Sequence, residues 1–195
     1  GIVRRVMEDY SRDKHEQAGY QFVYSPHITK STLFETSGHL DWYRDGMFPA
    51  MHLDEELHEG GTVKRQGQDY YLKPMNCPHH QQIYASKPRS YRDLPIKYLE
   101  TTTIYRDEKK GELLGLSRVR SATQDDSHVF CTPEQVPEVL GMLVDITKEF
   151  YDALGMSFRA RLSLRDDSDG YLGDKKLWNS SENTLRDIAK AKDLD

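Results

Sequence analysis

The sequence predicts one α+β domain whose sheet is antiparallel and flanked by helices. Three observations carry that expectation. Stretches with apolar residues at helical spacing are separated by hairpin-like runs instead of alternating strictly with single strands, which is the α+β pattern. Two runs rich in β-branched and aromatic residues, 98–108 and 118–130, are joined by a glycine-punctuated loop, as in an antiparallel hairpin. No glycine-rich phosphate loop of the Walker or Rossmann kind occurs, so a nucleotide handled by this chain has to be held by side chains. With 195 residues and 36% hydrophobic content the chain can bury one sizeable core, and it carries no internal repeat or low-complexity segment.

Taken in order, residues 2–18 place Ile2, Val3, Val6, Met7 and Tyr10 at helical spacing, and Gly19 is the stop. A strand over 20–24 leads to Pro26. Residues 51–67, charged and glycine-rich, read as a surface insert. Its histidines, His52 and His58, are expected to sit in an exposed polar loop and not on a metal. A short strand over 70–74 and a helix starting at 78–85 follow. The clearest helix spans 133–154, with Val136, Val139, Leu140, Leu143, Ile146, Phe150 and Leu154 on one stripe. Thr132 and Gln135 form its capping box, Pro133 takes the first helical position, and Gly155 closes it. Phe158, Ala160, Leu162 and Leu164 alternate with polar residues and predict a half-buried strand. A last surface helix is expected over 174–192, with Leu177, Trp178, Leu185 and Ile188 facing inward.

The chemistry concentrates on the hairpin. Read as a strand, 118–130 turns Arg118, Arg120, Gln124, Asp126 and His128 to one face. That face is too polar for a core; the plain alternative is an exposed strand carrying a ladder of salt bridges. Arg106 and Glu108 end the preceding run, so Arg106 and Arg118 converge beside a mobile loop containing Lys109 and Lys110. Guanidinium forks match phosphate and carboxylate oxygens in a bidentate way and stay charged at any useful pH. Cys77 and His128 are zinc-type donors, but with no second cysteine at short spacing Cys77 on its own reads as a small buried residue.

Arg106-Asp107-Glu108, the loop to Gly115-Leu116-Ser117-Arg118-Val119-Arg120 and the run Thr123-Gln124-Asp125-Asp126-Ser127-His128-Val129-Phe130-Cys131 resemble motif 2 of class II aminoacyl-tRNA synthetases, in the form carried by the threonyl enzymes. Leu72-Lys73-Pro74-Met75-Asn76-Cys77-Pro78-His79-His80 is similar to the zinc-cysteine segment of that family, and Ser90-Tyr91-Arg92-Asp93-Leu94-Pro95 follows as it does there. Phe34-Glu35-Thr36-Ser37-Gly38-His39 and Tyr43-Arg44-Asp45-Gly46-Met47-Phe48 match the approach to the site, and Pro26 sits where motif 1 places its proline.

The resemblance implies ATP- and Mg2+-dependent activation of threonine to threonyl-adenylate and transfer to tRNA(Thr). It implies that Arg106, Gln124 and Asp126 serve catalysis and that Arg106, Glu108 and Arg118 hold the nucleotide. Met75, Arg106, Arg120, Gln124 and Asp126 would meet the substrate. Cys77 and His128 would bind Zn2+, the third ligand lying in a later segment; His79 and His80 are not ligands in the family. It further implies a homodimer through the motif 1 region. Residues 1–195 then correspond to the first part of a catalytic domain with motifs 1 and 2, while motif 3 and the editing and anticodon-binding domains lie outside it. The chain alone is accordingly expected to show little or no threonine-dependent pyrophosphate exchange.

A competing reading is a catalytically silent synthetase-like module that binds RNA or protein. Intact Arg106, Glu108, Arg118, Asp126, Cys77 and His128 speak against decay of the site. Another class II synthetase, prolyl or seryl, is disfavoured by the paired zinc positions. The net charge of -5 argues against a surface built wholly for nucleic acid, leaving local patches such as Lys109 and Lys110. With two cysteines, no apolar stretch near the length of a membrane span and no charged-then-apolar leader, a cytoplasmic, reducing location is expected.

Overall fold

The computed structural model describes residues 1–166, 168 and 170–194. The chain divides into two compact units. The first comprises Gly1–Tyr20, Ser90–Ile96 and the described residues from Val129 onward. The second comprises Gln21–Arg89 and Lys97–His128.

The first unit is helical. Helix α1, Ile2–Gln17, ends before Gly19, whose φ of 82° closes the helix in a conformation that side chains other than glycine resist. Of its apolar stripe, Ile2, Val3 and Val6 are 78%, 69% and 61% exposed. Tyr10 instead packs on Phe150, with ring centroids 6.1 Å apart, and Lys14 pairs with Glu149 at 2.6 Å. The expected capping box forms: Thr132 and Gln135 cap a 3-10 turn at Pro133–Gln135, and Thr132 N–H donates to Gln135 Oε1 at 2.9 Å. That turn runs into α5, Val136–Ala153. A last helix, Lys175–Ala191, begins at Asp174, whose carboxylate accepts from the N–H groups of Lys176 and Leu177. Trp178, Leu185 and Ile188 are half-buried as expected, but Leu177 is 62% exposed, because it lies off the stripe that carries buried Glu182 and Ala189.

The strand expected over 158–165 does not form. Alternation supplies an apolar edge, but a strand exists only where a neighbour offers ladder hydrogen bonds, and none of the described sheets extends to this segment.

The second unit holds three small sheets. Strand β1, Gln21–Phe22, runs parallel to β7, Ile96–Tyr105, and β7 is hydrogen-bonded in turn to β8, Ser121–Phe130. Arg106 N–H donates to Arg120 O at 2.9 Å and Thr103 Oγ1 lies 3.2 Å from Thr123 Oγ1, so β7 and β8 run in opposite directions. The sheet is thus mixed, the antiparallel hairpin carrying a short parallel edge. A second sheet orders β2 (Ile28–Lys30), β6 (Gln68–Leu72) and β3 (Met51–Leu53), all antiparallel. The third is the hairpin of β4 (Glu56–Leu57) and β5 (Val63–Arg65). A core of Phe34, Leu40 and Met47, with Tyr71 against it, joins α2 (Ser31–Thr36) and α3 (His39–Trp42) to β6. Helix α4, Cys77–Ala85, follows β6 and buries His79 and His80.

Candidate active site

Two groups of side chains stand along the hairpin. The first surrounds a cleft of about 380 Å³ lined by Ile104, Arg106, Glu108, Arg118, Arg120 and Gln124 among others. Every second residue of β7 from Ile96 to Ile104 is buried, and Arg106 continues that face past the strand end. Among the described residues Arg106 makes no ion pair, whereas the other two cleft guanidiniums are engaged. Arg118 grips Glu108 Oε2 with both Nη2, at 2.7 Å, and Nε, at 2.8 Å, and its Nη2 lies 3.5 Å from Glu112. Its hydrogen bond to Glu108 holds the guanidinium more firmly protonated. Arg120 Nε donates to Glu108 O at 3.1 Å and lies 3.9 Å from Asp107.

Arg118 and Arg120 are not strand residues, contrary to the reading of 118–130 as one strand. The ladder to β7 stops at Arg120, and the chain beyond closes on itself: Leu114 and Arg118 form an isolated bridge around a turn at Gly115, whose φ is 49°. The alternation of β8 still holds, with Ala122, Gln124 and Asp126 half-buried and Ser121, Thr123 and Asp125 exposed.

The second group lies further along β8, against the first turn of α4. Asn76, fully buried, donates from Nδ2 to Asp126 Oδ2 at 2.9 Å, and its own Oδ1 has no partner. His128 Nδ1 lies 2.8 Å from His80 Nδ1, and His80 Nε2 lies 3.3 Å from Glu100 Oε2. Beneath them Lys73, 0% exposed, reaches Ser25 Oγ at 2.9 Å, Thr102 Oγ1 at 3.0 Å and Glu100 Oε1 at 3.3 Å. Burial alone would raise the Glu100 pKa. The hydrogen bonds from His80 and Ser25 and the charge of Lys73 outweigh it and hold the carboxyl down to about 2. Burial pushes the Lys73 ammonium down and the Cys77 thiol up, the latter with help from the Asp126 charge. Burial also lowers His128, against Asp126 and together with His80.

The structure therefore gathers Arg106, Glu108, Arg118, Arg120 and Gln124 at one cleft, and sets Asp126 and His128 beside α4. Met75 is half-buried next to Asn76 and lines no part of the cleft. Cys77 opens α4, close enough to Asp126 to feel its charge, as His128 does. Among the described residues no three His, Cys, Asp or Glu side chains stand close enough to hold a metal ion. His52 is engaged by Asp69 at 2.7 Å and Glu55 at 3.2 Å on the surface. Sequence reasoning missed Lys73, Asn76, His80 and Glu100 as members of the site. A signal existed for two of them: Lys73 and Glu100 each interrupt a strand-like apolar run, which is where a buried pair belongs.

Comparison with known proteins gives consistent results. The family model for the tRNA synthetase class II core domain (G, H, P, S and T) matches residues 60–194. The threonine–tRNA ligase of Pseudarthrobacter chlorophenolicus is 50% identical over all of this chain, which spans 29% of that relative. That of Mycobacterium avium is 52% identical, with 100% and 28% covered. Among solved structures, the putative threonyl-tRNA synthetase ThrRS-1 of Aeropyrum pernix superposes with a TM-score of 0.82 at 30% identity, covering 98% of this chain and 41% of that one. This chain thus spans less than a third of the curated relatives named here.

Proposed function

This chain belongs to the tRNA synthetase class II core domain family, and from that premise we propose that it carries the nucleotide- and amino-acid-binding part of a threonine–tRNA ligase. The reaction joins the α-carboxylate of threonine to the α-phosphorus of ATP in line, with pyrophosphate leaving, and then passes the acyl group to the terminal ribose of tRNA(Thr). Such chemistry asks for positioning and charge neutralisation more than for a protein base.

The observation that supports this reading is Arg106, a guanidinium without an ion pair among the described residues, at a cleft whose other arginines are engaged. Arg106 is assigned to the threonine carboxylate and the α-phosphate, Glu108 to the adenine amino group, and Arg118 to the outer phosphates and their Mg2+. Gln124 and, more weakly, Arg120 and Met75 face substrate. Asp126, fixed by Asn76, accepts the threonine hydroxyl proton.

The donor chemistry suits zinc as far as it goes. Cys77 and His128 offer a sulfur and an imidazole whose Nε2 makes no hydrogen bond among the described residues, although burial and the Asp126 charge hold the Cys77 thiol against ionising. When bound there, Zn2+ would supply an open Lewis-acid position for an amino group and a hydroxyl together, which excludes valine. The same premise extends to a homodimer through α1, whose Ile2, Val3 and Val6 are exposed. Sedimentation of Val6→Asp should then show a shift toward monomer, and an unchanged profile would remove α1 from the contact.

Calorimetry with a non-hydrolysable threonyl-adenylate analogue tests the central assignment. Arg106→Ala should weaken binding by about 1.5–3 kcal/mol, the scale of hydrogen bonds to charged groups. Arg65→Ala, on β5 and paired with Glu56 at 3.2 Å, should leave it nearly unchanged. Equal losses would point to general charge attraction and return the silent binding module as the better reading.

A further inference from the structure

Asn76 stands at the N-cap of α4, where an asparagine ordinarily turns its side-chain oxygen onto the backbone N–H groups of the first helical turn. Asn76 does otherwise. Its side chain makes no capping hydrogen bond, and its Oδ1 has no partner among the described residues. The helix is begun by the backbone instead, Asn76 O accepting from the N–H groups of His79 at 3.0 Å and His80 at 3.1 Å. The side chain is fully buried, and its amide donates to Asp126 Oδ2 at 2.9 Å, 50 residues along the chain.

A forgone cap and a buried carbonyl oxygen left idle are both local losses, and nothing within α4 offsets them. What the arrangement secures is the carboxylate of Asp126. The torsion that turns a carboxylate about its bond to Cβ is broad and nearly twofold, so an unheld one offers either oxygen over a wide range of angles. Asn76 occupies Oδ2, and Asp126 Oδ1 makes no hydrogen bond among the described residues. The amide cannot be turned over, because its own oxygen would then face an acceptor. Lys73, Cys77 and His128 feel the Asp126 charge, but the Lys73 ammonium is taken by Ser25, Thr102 and Glu100. Among the described residues Asn76 is therefore the side chain that sets the plane of this carboxylate.

We propose that Asn76 is a positioning residue for specificity: it acts through Asp126, leaving Oδ1 as the fixed acceptor for the side-chain hydroxyl of a β-hydroxy amino acid, so that a substrate with a methyl group in its place is refused. A hydrogen bond to an anion weakens steeply as it is misaligned, whereas a methyl group asks only for space. A carboxylate that wanders thus loses the advantage of the hydroxyl and costs the methyl nothing. The proposal rests on the reading of Asp126 as acceptor of the threonine hydroxyl proton, and adds the group that makes the acceptor selective.

Calorimetry of the 195-residue chain, with EDTA present so that no metal contributes, compares a non-hydrolysable threonyl-adenylate analogue with its valyl counterpart. The chain should prefer the threonyl analogue by about 10–100-fold, the scale of one hydrogen bond to a charged group. Asn76→Leu removes the donor, and Asn76→Asp sets a carboxylate against Asp126 in nearly the same shape. Each should lower that preference about 10-fold, through the threonyl affinity. A merely structural role would weaken both analogues alike and leave the ratio where it was. In an Asp126→Ala background Asn76→Leu should no longer move the ratio, and an equal drop with and without Asp126 would overturn the proposal. If both Asn76 variants, folded by circular dichroism, keep the parent ratio while Asp126→Ala erases it, Asp126 is the acceptor and the positioning role is lost. If Asp126→Ala itself leaves the ratio unchanged, the reading of Asp126 fails and takes the proposal with it. Where one Asn76 variant does not fold, the other decides.

Discussion

Lys73–Glu100 and Arg118–Glu108 are both ion pairs of the hairpin region, yet their side chains are 0% and 1% exposed in the first and 51% and 14% in the second. Depth changes what each can be for. In the buried pair Ser25, Thr102 and His80 supply further hydrogen bonds, because a charge without water must be satisfied by protein. Those bonds draw together the segment after β1, the end of β6 and the middle of β7, so the pair specifies the fold beneath the site. The pair at the cleft has solvent on the cation side, where the arginine is half exposed, and a turn-closed loop behind it. Like chemistry is enclosed by protein in one pair and open to solvent on the cation side in the other.

The largest expected effect comes from breaking the buried pair on one side. Lys73→Met leaves Glu100 charged, buried and short of its cation, and should cost about 3–5 kcal/mol in urea unfolding. A cost under about 1 kcal/mol, the scale of an exposed pair, would erase the distinction drawn here.

Titration probes the same carboxylate without a mutation. Glu100 is held at about 2 in the folded chain against an ordinary value of 4.5. A depressed carboxyl contributes stability that is complete above its unfolded pKa and is lost as pH falls through its folded one. The chain should therefore lose on the order of 3 kcal/mol from this group between pH 4.5 and about 2, with a matching proton uptake on unfolding. Glu100→Gln should flatten that window, and a pH profile identical to the parent's would show that Glu100 is not the group responsible.

These predictions depend mostly on contacts that the sequence does not display. Helices α1, α5 and α6 (Lys175–Ala191) were legible because period and caps are local signals, and Thr132, Pro133 and Gln135 mark the turn that leads into α5 residue by residue. The face shared by Gln124, Asp126 and His128 was legible too, since strand alternation needs only the sequence. Strands β2 and β3 were not: each has three residues, and their common partner β6 is named by nothing nearby. The segment 158–165 errs the other way, alternating without a ladder. In the site, the chain of contacts from Ser25 to Glu100, from Asn76 to Asp126 and from His80 to His128 spans 75, 50 and 48 residues, so only the fold reveals which side chains meet.

The smallest expected effect sharpens the comparison from the exposed side. A double-mutant cycle on Arg118→Met and Glu108→Gln should return a coupling of about 0.2–1 kcal/mol in unfolding. The upper part of that range is expected, because the contact uses two guanidinium nitrogens and Glu108 is largely sheltered. Added salt should reduce the coupling, as screening reaches a half-exposed arginine. A coupling above about 2 kcal/mol that ignores salt would place this pair with the buried one. On the nucleotide reading proposed above, a weak value would mean that a triphosphate drawing Arg118 from Glu108 gives up little and leaves Glu108 to accept from an amino group. The same two substitutions should then lower affinity for the adenylate analogue by more than they lower stability, which calorimetry and urea unfolding on one set of variants decide together.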